Sequence, residues 1–384
     1  METQERVDVV IVGAGPAGLT AACALQAAGA RILVVDAADA GANTSRAAVI
    51  HARTLEVLDS IGVTERLLAD GLVVPVFTVR DRTRTLAHLD FANLPTRYPF
   101  TLMLPQSRTE ELLAQRLAEL GGQVDRRCTL IGARASGDGA AVTLASPDGK
   151  SWDVDARFVI GADGMHSAVR EAAGIGFVGG DYEQSFVLAD VCLAWSLPAD
   201  EVQLFFSSSG LVVVAPLPGG NHRVIATVDD APETPTVGDI QTLLDTRGPG
   251  DARVEEVAWT SRFRVQHRLA TSYRNGPMFL AGDAAHVHSP AGGQGMNTGI
   301  QDAADLGDLL GRVIAGELPE TQLDSYQNRR RPVAQRVVSL TDRMTRMATL
   351  RAPGARLARN LLLNLLLRNP ALRRRVTMRI AELE

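Results

Sequence analysis

Residues 7–36 limit the possible folds most sharply. Val7–Val12 is an apolar run interrupted only by Asp8, and it stops at Gly13-Ala14-Gly15-Pro16-Ala17-Gly18. An Ala/Leu-rich stretch to about Ala28 reads as a helix, Gly29 ends it, and a second apolar run, Arg31–Val35, finishes at Asp36. Strand, glycine turn, helix, strand and acid in this order open a doubly wound, parallel sheet that binds a dinucleotide. In such a turn Gly13 makes the bend, Gly15 lets the backbone reach a pyrophosphate, and Gly18 allows close helix–strand packing. Pro16 and Ala17 start the helix, whose free N–H groups favour an anion. Asp36 is placed to accept from ribose hydroxyls.

Two later junctions repeat the pattern. Arg157–Ile160 runs into Gly161-Ala162-Asp163-Gly164-Met165-His166-Ser167-Ala168-Val169-Arg170, and Met278–Ala281 runs into GDAAHVHSPAGGQGMN at 282–297. In the last of these, Gly282-Asp283 ends a strand, and Gly292, Gly293 and Gly295 crowd an irregular loop before a helix opens near Met296-Asn297. Without Cβ atoms such a loop lies flat against a planar ligand, and the helix aims N–H groups at it. The Asp283 carboxylate suits a polyol hydroxyl. A flavin with its ribityl chain fits all three features, and the N-terminal place of the first turn favours FAD over NAD. Arg46 and Arg53 flank the helix pattern near residue 55, where each would either reach a phosphate or be solvated.

At 384 residues the chain is long for one core, so two domains are expected. The net charge of -5 supplies no basic footprint for nucleic acid. Cys23, Cys128 and Cys192 are scattered, without metal spacing, as in a reducing cytoplasm. No signal peptide is expected, and no apolar run reaches membrane-spanning length, so stable membrane insertion is not expected. Residues 71–100 and 181–270 alternate like antiparallel strands and hold eleven of the 17 aromatic residues, among them Phe205. These aromatics either wall a pocket for an apolar substrate or simply reflect strand preference. The expected organisation is α/β: a Rossmann-like FAD-binding domain (1–70, 101–180 and 271–340), interleaved with a mainly antiparallel β substrate domain (71–100 and 181–270), plus a C-terminal helical segment (341–384). That segment is rich in arginine, and its leucines are expected to pack intramolecularly or at a dimer interface rather than on a membrane.

Taken together, GAGPAG at 13–18, GADGMHSAVR at 161–170 and GDAAHVHSPAGGQGMN at 282–297 resemble the single-component, FAD-dependent aromatic hydroxylases that share the p-hydroxybenzoate hydroxylase fold. SRAAVIHARTLEVL and LPQSRTEELL are most similar to the phenol and polyketide hydroxylase branch, whose longer members carry a C-terminal thioredoxin-like domain not expected here. The resemblance implies FAD, bound non-covalently, against Gly13, Gly15, Pro16, Ala17, Gly18, Asp36, Arg46, Arg53, Gln106, Arg108, Gly282, Asp283, Pro290, Gly293, Gly295, Met296 and Asn297. Asp163 and Arg170 would serve the middle motif. Phe205, Pro216, Pro290, Ala291 and Gly292 would face the substrate, and no metal is implied. It further implies NADPH or NADH as reductant, O2 as co-substrate, and transfer of an OH equivalent from a flavin C4a-hydroperoxide to an aromatic substrate. The protein would be a monomer or homodimer. No residue stands out as a catalytic base, and His286 and His288 are given no catalytic role. Baeyer–Villiger oxidation or epoxidation on the same scaffold, and a flavin-bearing protein that sequesters a ligand, are the alternatives.

Overall fold

The computed structural model describes residues 6–41, 47–350 and 352–384. Its first sheet sets Met278–Leu280, Ser151–Gly161, Val7–Val12, Ile32–Asp36 and Val124–Arg126 side by side, all parallel. The Thr129–Ser136/Gly139–Ala145 hairpin adds antiparallel strands to Ser151–Gly161, and Arg274–Asn275 adds one at the far edge. Val9, Val10 and Ile11 are fully buried, as a near-continuous apolar run in a parallel strand requires.

Seven helices carry the argument below: α1 (Pro16–Ala27), α2 (Ala52–Ile61), α3 (Gln106–Glu119), α4 (Gly295–Ile314), α5 (Asp324–Ala348), α6 (Pro353–Arg368) and α7 (Pro370–Ile380). Helices α1 and α4 lie close because α4 presents glycines to the alanines of α1. A Cβ on Gly307 would stand 2.7 Å from that of Ala24, and one on Gly311 2.8 Å from that of Ala28.

The second sheet runs His286–Val287, Arg253–Ala270, Phe177–Ala194, His222–Val228, Gly210–Pro216, Glu201–Ser207, Val76–Asp81 and Arg84–Asp90. Its pairs are antiparallel except Glu201–Ser207 against Val76–Asp81. The expected α/β architecture with a mainly antiparallel companion sheet is therefore present.

Two elements span the expected divisions. Val49–Ile50, Thr101–Met103 and Leu72–Val74 form a small sheet that crosses the divisions placed at 70/71 and 100/101, because strands take partners in space regardless of local texture. Helix α5 also continues through the division at 340/341, with Pro332 inside it. The tail packs at its ends: Ile380 and Ala381 are buried in a cluster with Phe77, Val74 and Met103. Leu357, Leu361 and Leu365 stay 70%, 69% and 65% exposed on the outer face of α6.

Candidate active site

The three glycine-bearing junctions meet at one end of the parallel sheet. Gly13 (φ 99°) packs on the middle motif so closely that a Cβ there would lie 2.3 Å from the Ala162 carbonyl oxygen. A Cβ on Gly18 would lie 1.9 Å from the Gly13 oxygen, which fixes helix α1 against the turn. Gly282 (φ 62°) sits where a Cβ would be 3.0 Å from that of Ala17 and 3.7 Å from the Gly299 Cα. Arg170 ties two of the motifs together, donating to the Ala284 carbonyl at 3.0 Å and the Met165 carbonyl at 2.9 Å, with its guanidinium over Phe177 at 4.0 Å.

A cavity of about 1220 Å³ opens among these loops and continues beneath the second sheet. Pockets for one small molecule are about 300–1,000 Å³, so there is room for a large cofactor and a substrate together. At its first end, Gly15 caps helix α1 with extended backbone and no side-chain cap, leaving the first amides of the helix to a ligand. A Cβ on Gly15 would meet nothing within 4 Å. Asp36 accepts from the Ala14 amide at 2.6 Å and the Ala38 amide at 2.8 Å, so it shapes the turn as well as facing the cavity. Asp163 accepts from the Val169 amide at 3.2 Å through one oxygen, while the other is buried with no protein partner. Burial pushes this carboxyl up from its ordinary value.

Deeper in, Gly292 (φ 86°) and Gly293 (φ 65°) turn the loop flat, and a Cβ on Gly293 would strike that of Val49 at 2.9 Å. Asn297 holds this geometry. It accepts from the His51 amide at 2.8 Å and donates to the Val49 and Gly293 carbonyls at 2.8 and 2.7 Å. Helix α4 then starts without a side-chain cap, with Gly295 and Met296 on the cavity wall.

Most residues singled out in the sequence reach this cavity: Gly13, Gly15, Pro16, Ala17, Asp36, Gln106, Asp163, Gly282, Asp283, Pro290, Ala291, Gly292, Gly293, Gly295 and Met296 all line it. Asp283 lies exposed on the wall rather than buried. Gly18, Asn297 and Arg170 stand behind the wall and fix its loops. The structure does not bring Arg53 or Arg108 to the cavity. Arg53 pairs with Glu56 at 2.6 Å along helix α2, and Arg108 pairs with Asp70 and Glu111, each at 2.7 Å. Arg46 lies outside the described residues.

Phe205 and Pro216 are corrections of another kind. In both strands the neighbouring residue, Phe206 or Ala215, lines the cavity. Phe205 is fully buried on the other side, near Trp195 at 6.5 Å.

Several wall residues carried no sequence signal. Arg223 is 2% exposed, makes two 2.7 Å contacts to Asp190 and donates to the Ala47 carbonyl at 2.9 Å. Phe77, Phe186, Phe206 and Phe263, among the aromatics expected either to wall a pocket or to reflect strand preference, line the cavity, and α5 and α6 add Met344, Met347, Leu363 and Leu367. His286 is spoken for: it meets Asp302 at 2.6 Å, and Arg330 meets the same carboxylate at 2.6 Å. Against burial, which pushes the other way, Arg330 and His286 hold Asp302 below the usual carboxylate range. His288 lines the cavity, and burial lowers it to about 4, so it is neutral. Among the described residues no group of three or more His, Cys, Asp or Glu side chains is placed to hold a metal ion.

Residues 6–341 match the family model described as an FAD binding domain. The 6-methylpretetramide 4-monooxygenase of Streptomyces rimosus is 42% identical over 378 residues, which are 97% of this chain and 68% of that protein. Among solved structures, the anhydrotetracycline hydroxylase of Streptomyces rimosus superposes with a TM-score of 0.83 at 36% identity, covering 99% of this chain and 76% of that one. The p-nitrophenol 4-monooxygenase of Pseudomonas putida gives a TM-score of 0.89 at 25% identity, covering 99% of both chains.

The chain belongs to the FAD-dependent aromatic monooxygenases. The residues in place fit the cofactor of that family. A monooxygenase of this kind needs an anion site, which the bare helix terminus after Gly15 would supply. It needs a hydroxyl-binding end, which Asp36 would supply. It also needs a flat backbone for a planar ring system, which Gly292–Gly295 would supply.

Proposed function

We propose that this monooxygenase hydroxylates a polycyclic phenol of the polyketide type, in the cytoplasm, with NADPH or NADH as reductant and O2 as co-substrate. The observation that carries the reading is the second half of the cavity. It is long, its wall is apolar and aromatic, and it is continuous with the FAD cradle. Two relatives named for tetracycline-type substrates, 42% and 36% identical to this chain, support a multi-ring ligand.

Bound FAD, reduced by the nicotinamide, supplies the activation of O2 from which one oxygen atom reaches the ring. The chain's own residues do the rest. Gly13, Gly15 and the first turn of α1 hold the pyrophosphate, Asp36 and Asp283 accept from hydroxyls, and the α4 terminus places partial positive charge at the planar end. Phe77, Phe186, Phe206 and Phe263 orient the substrate's rings, and the tail helices exclude water.

Anaerobic mixing of the FAD-loaded protein with NADPH tests this reading. Flavin bleaching should be slow alone and accelerate with a tetracyclic phenol more than with p-nitrophenol. Fast bleaching without any phenol, or acceleration by the single ring only, contradicts it.

A further inference from the structure

The tail from 353 onward bridges the two walls of the cavity. Helix α6 is fixed to the antiparallel sheet: Asn360 donates to Asp81 at 2.7 Å, and Arg359 lies over Phe206 at 5.1 Å. The end of α7 is fixed to the other wall. Gln294, at the start of α4, donates to the Ile380 carbonyl at 3.0 Å, and the Arg53 amide donates to the Ala381 carbonyl at 3.3 Å. Between these anchors Leu362, Leu366, Leu372 and Val376 line the cavity while remaining 55%, 41%, 40% and 37% exposed. A residue that both lines a cavity and faces solvent marks its rim, so the mouth runs along this strap.

The last anchor is Glu382. It follows α7 in a left-handed conformation (φ 59°) that a non-glycine residue adopts only when its surroundings hold it there. Its side chain is half-buried between α2 and α4, where the carboxyl meets Thr54, Thr298 and Gln301. Thr298 shares its hydroxyl hydrogen between the Gln294 carbonyl at 3.0 Å and the Glu382 carboxyl at 3.3 Å. Gln301 donates to Thr54 at 3.1 Å and to the second carboxyl oxygen, to which Thr54 also donates at 3.4 Å.

Of the charged groups on the surrounding elements, Arg330 of α5 is bound to Asp302 of α4 and acts on Glu382 through its charge, Arg53 and Glu56 of α2 pair with each other, and Arg379 of α7 pairs with Glu384. His51, lowered to about 4 by burial, is neutral.

We propose that Glu382 is a latch and a positioning residue: its carboxyl, bonded to Thr54, Thr298 and Gln301, holds the α6–α7 strap over the cavity mouth and against the first turn of α4, and its release admits the substrate. The nature of that substrate rests on the reading above; the latch does not. Burial pushes the carboxyl up to about 8, against the opposing pull of Arg330 and of the three hydrogen bonds. Ionisation therefore puts a poorly solvated charge into the nest and loosens the strap.

The test uses the full, FAD-loaded chain and trypsin, with an unstructured arginine peptide in the same tube to normalise the protease. Cleavage after Arg368, Arg373, Arg374 and Arg375 is followed by mass spectrometry between about pH 6.5 and about pH 9. Wild-type cleavage should rise through the alkaline half. E382Q should match the wild type at the acid end and stay flat, because an amide keeps a neutral hydrogen-bonding side chain in the nest and does not ionise. E382A should be cut about tenfold faster throughout, the size of one net hydrogen bond. A wild-type rate flat to the alkaline end, or E382Q cleaving like E382A, overturns the latch. In parallel, anhydrotetracycline should bind and dissociate faster in E382A at unchanged FAD absorbance. Failure of anhydrotetracycline to bind any form, with the cleavage pattern intact, counts against the substrate reading and leaves the latch standing.

Discussion

Single residues decide how closely the three loops approach. Gly18 has no room for a Cβ, since the obstacle is the backbone oxygen of Gly13 and not a movable side chain. G18A should therefore lower stability by about 1–3 kcal/mol, the usual cost of overpacking, and lose FAD at the same time. Thermal melting and the ratio of flavin to protein absorbance report both, and an unchanged ratio would show that this packing does not shape the cofactor site. Asp283 stands differently. Because it is exposed on the cavity wall, its bond to a hydroxyl is worth about 1 kcal/mol rather than the value of a buried one. D283A should weaken FAD binding about fivefold in a fluorescence titration of the apoprotein, and an unchanged dissociation constant would remove Asp283 from the hydroxyl contacts.

At the level of elements, strand Glu201–Ser207 shows both what sequence can specify and where it stops. Alternation says that neighbouring residues face opposite ways, but not which face meets the cavity. Phe206 takes the cavity and Phe205 the core. F205A should lower stability by about 3–5 kcal/mol with the Michaelis constant little changed in the surviving fold. F206A should raise the Michaelis constant about tenfold with a smaller loss of melting temperature. The reverse assignment of effects would place the substrate on the other face of the sheet.

The glycine turns were legible because their residue types dictate backbone shape directly: Gly13, Gly282, Gly292 and Gly293 all adopt positive φ. Arg53 and Arg108 were misleading because an arginine near a phosphate site reads the same whether it turns toward the cofactor or toward Glu56 and Asp70. The strap was legible only as an amphipathic, basic segment. Nothing in the spacing of its leucines names Glu382 or the polar nest that receives it.

At the scale of the whole molecule, buried titratable groups set the pH range of the fold. His51 and His288 are lowered to about 4 by burial, so the unfolded chain binds more protons below its own His value, and stability falls as pH drops from about 6.5 toward 4. Glu382 is raised to about 8 by burial, so its contribution is complete below the ordinary Glu value and is lost as pH rises through about 8. The melting temperature should therefore peak between about pH 6 and 7, and E382Q should steepen the acid side, flatten the alkaline side and move the maximum upward. A maximum at alkaline pH would contradict these burials.

In the proposed function one cavity joins an FAD cradle to an aromatic-walled chamber for a multi-ring phenol, and the chain places one oxygen atom from O2 on that ring. Turnover of a tetracyclic phenol with NADPH under isotopically heavy dioxygen measures this directly. The expected product carries one heavy oxygen atom on the ring system and forms in step with NADPH oxidation. NADPH oxidation that yields only hydrogen peroxide with every multi-ring phenol tried, or a product whose new oxygen comes from water, contradicts it.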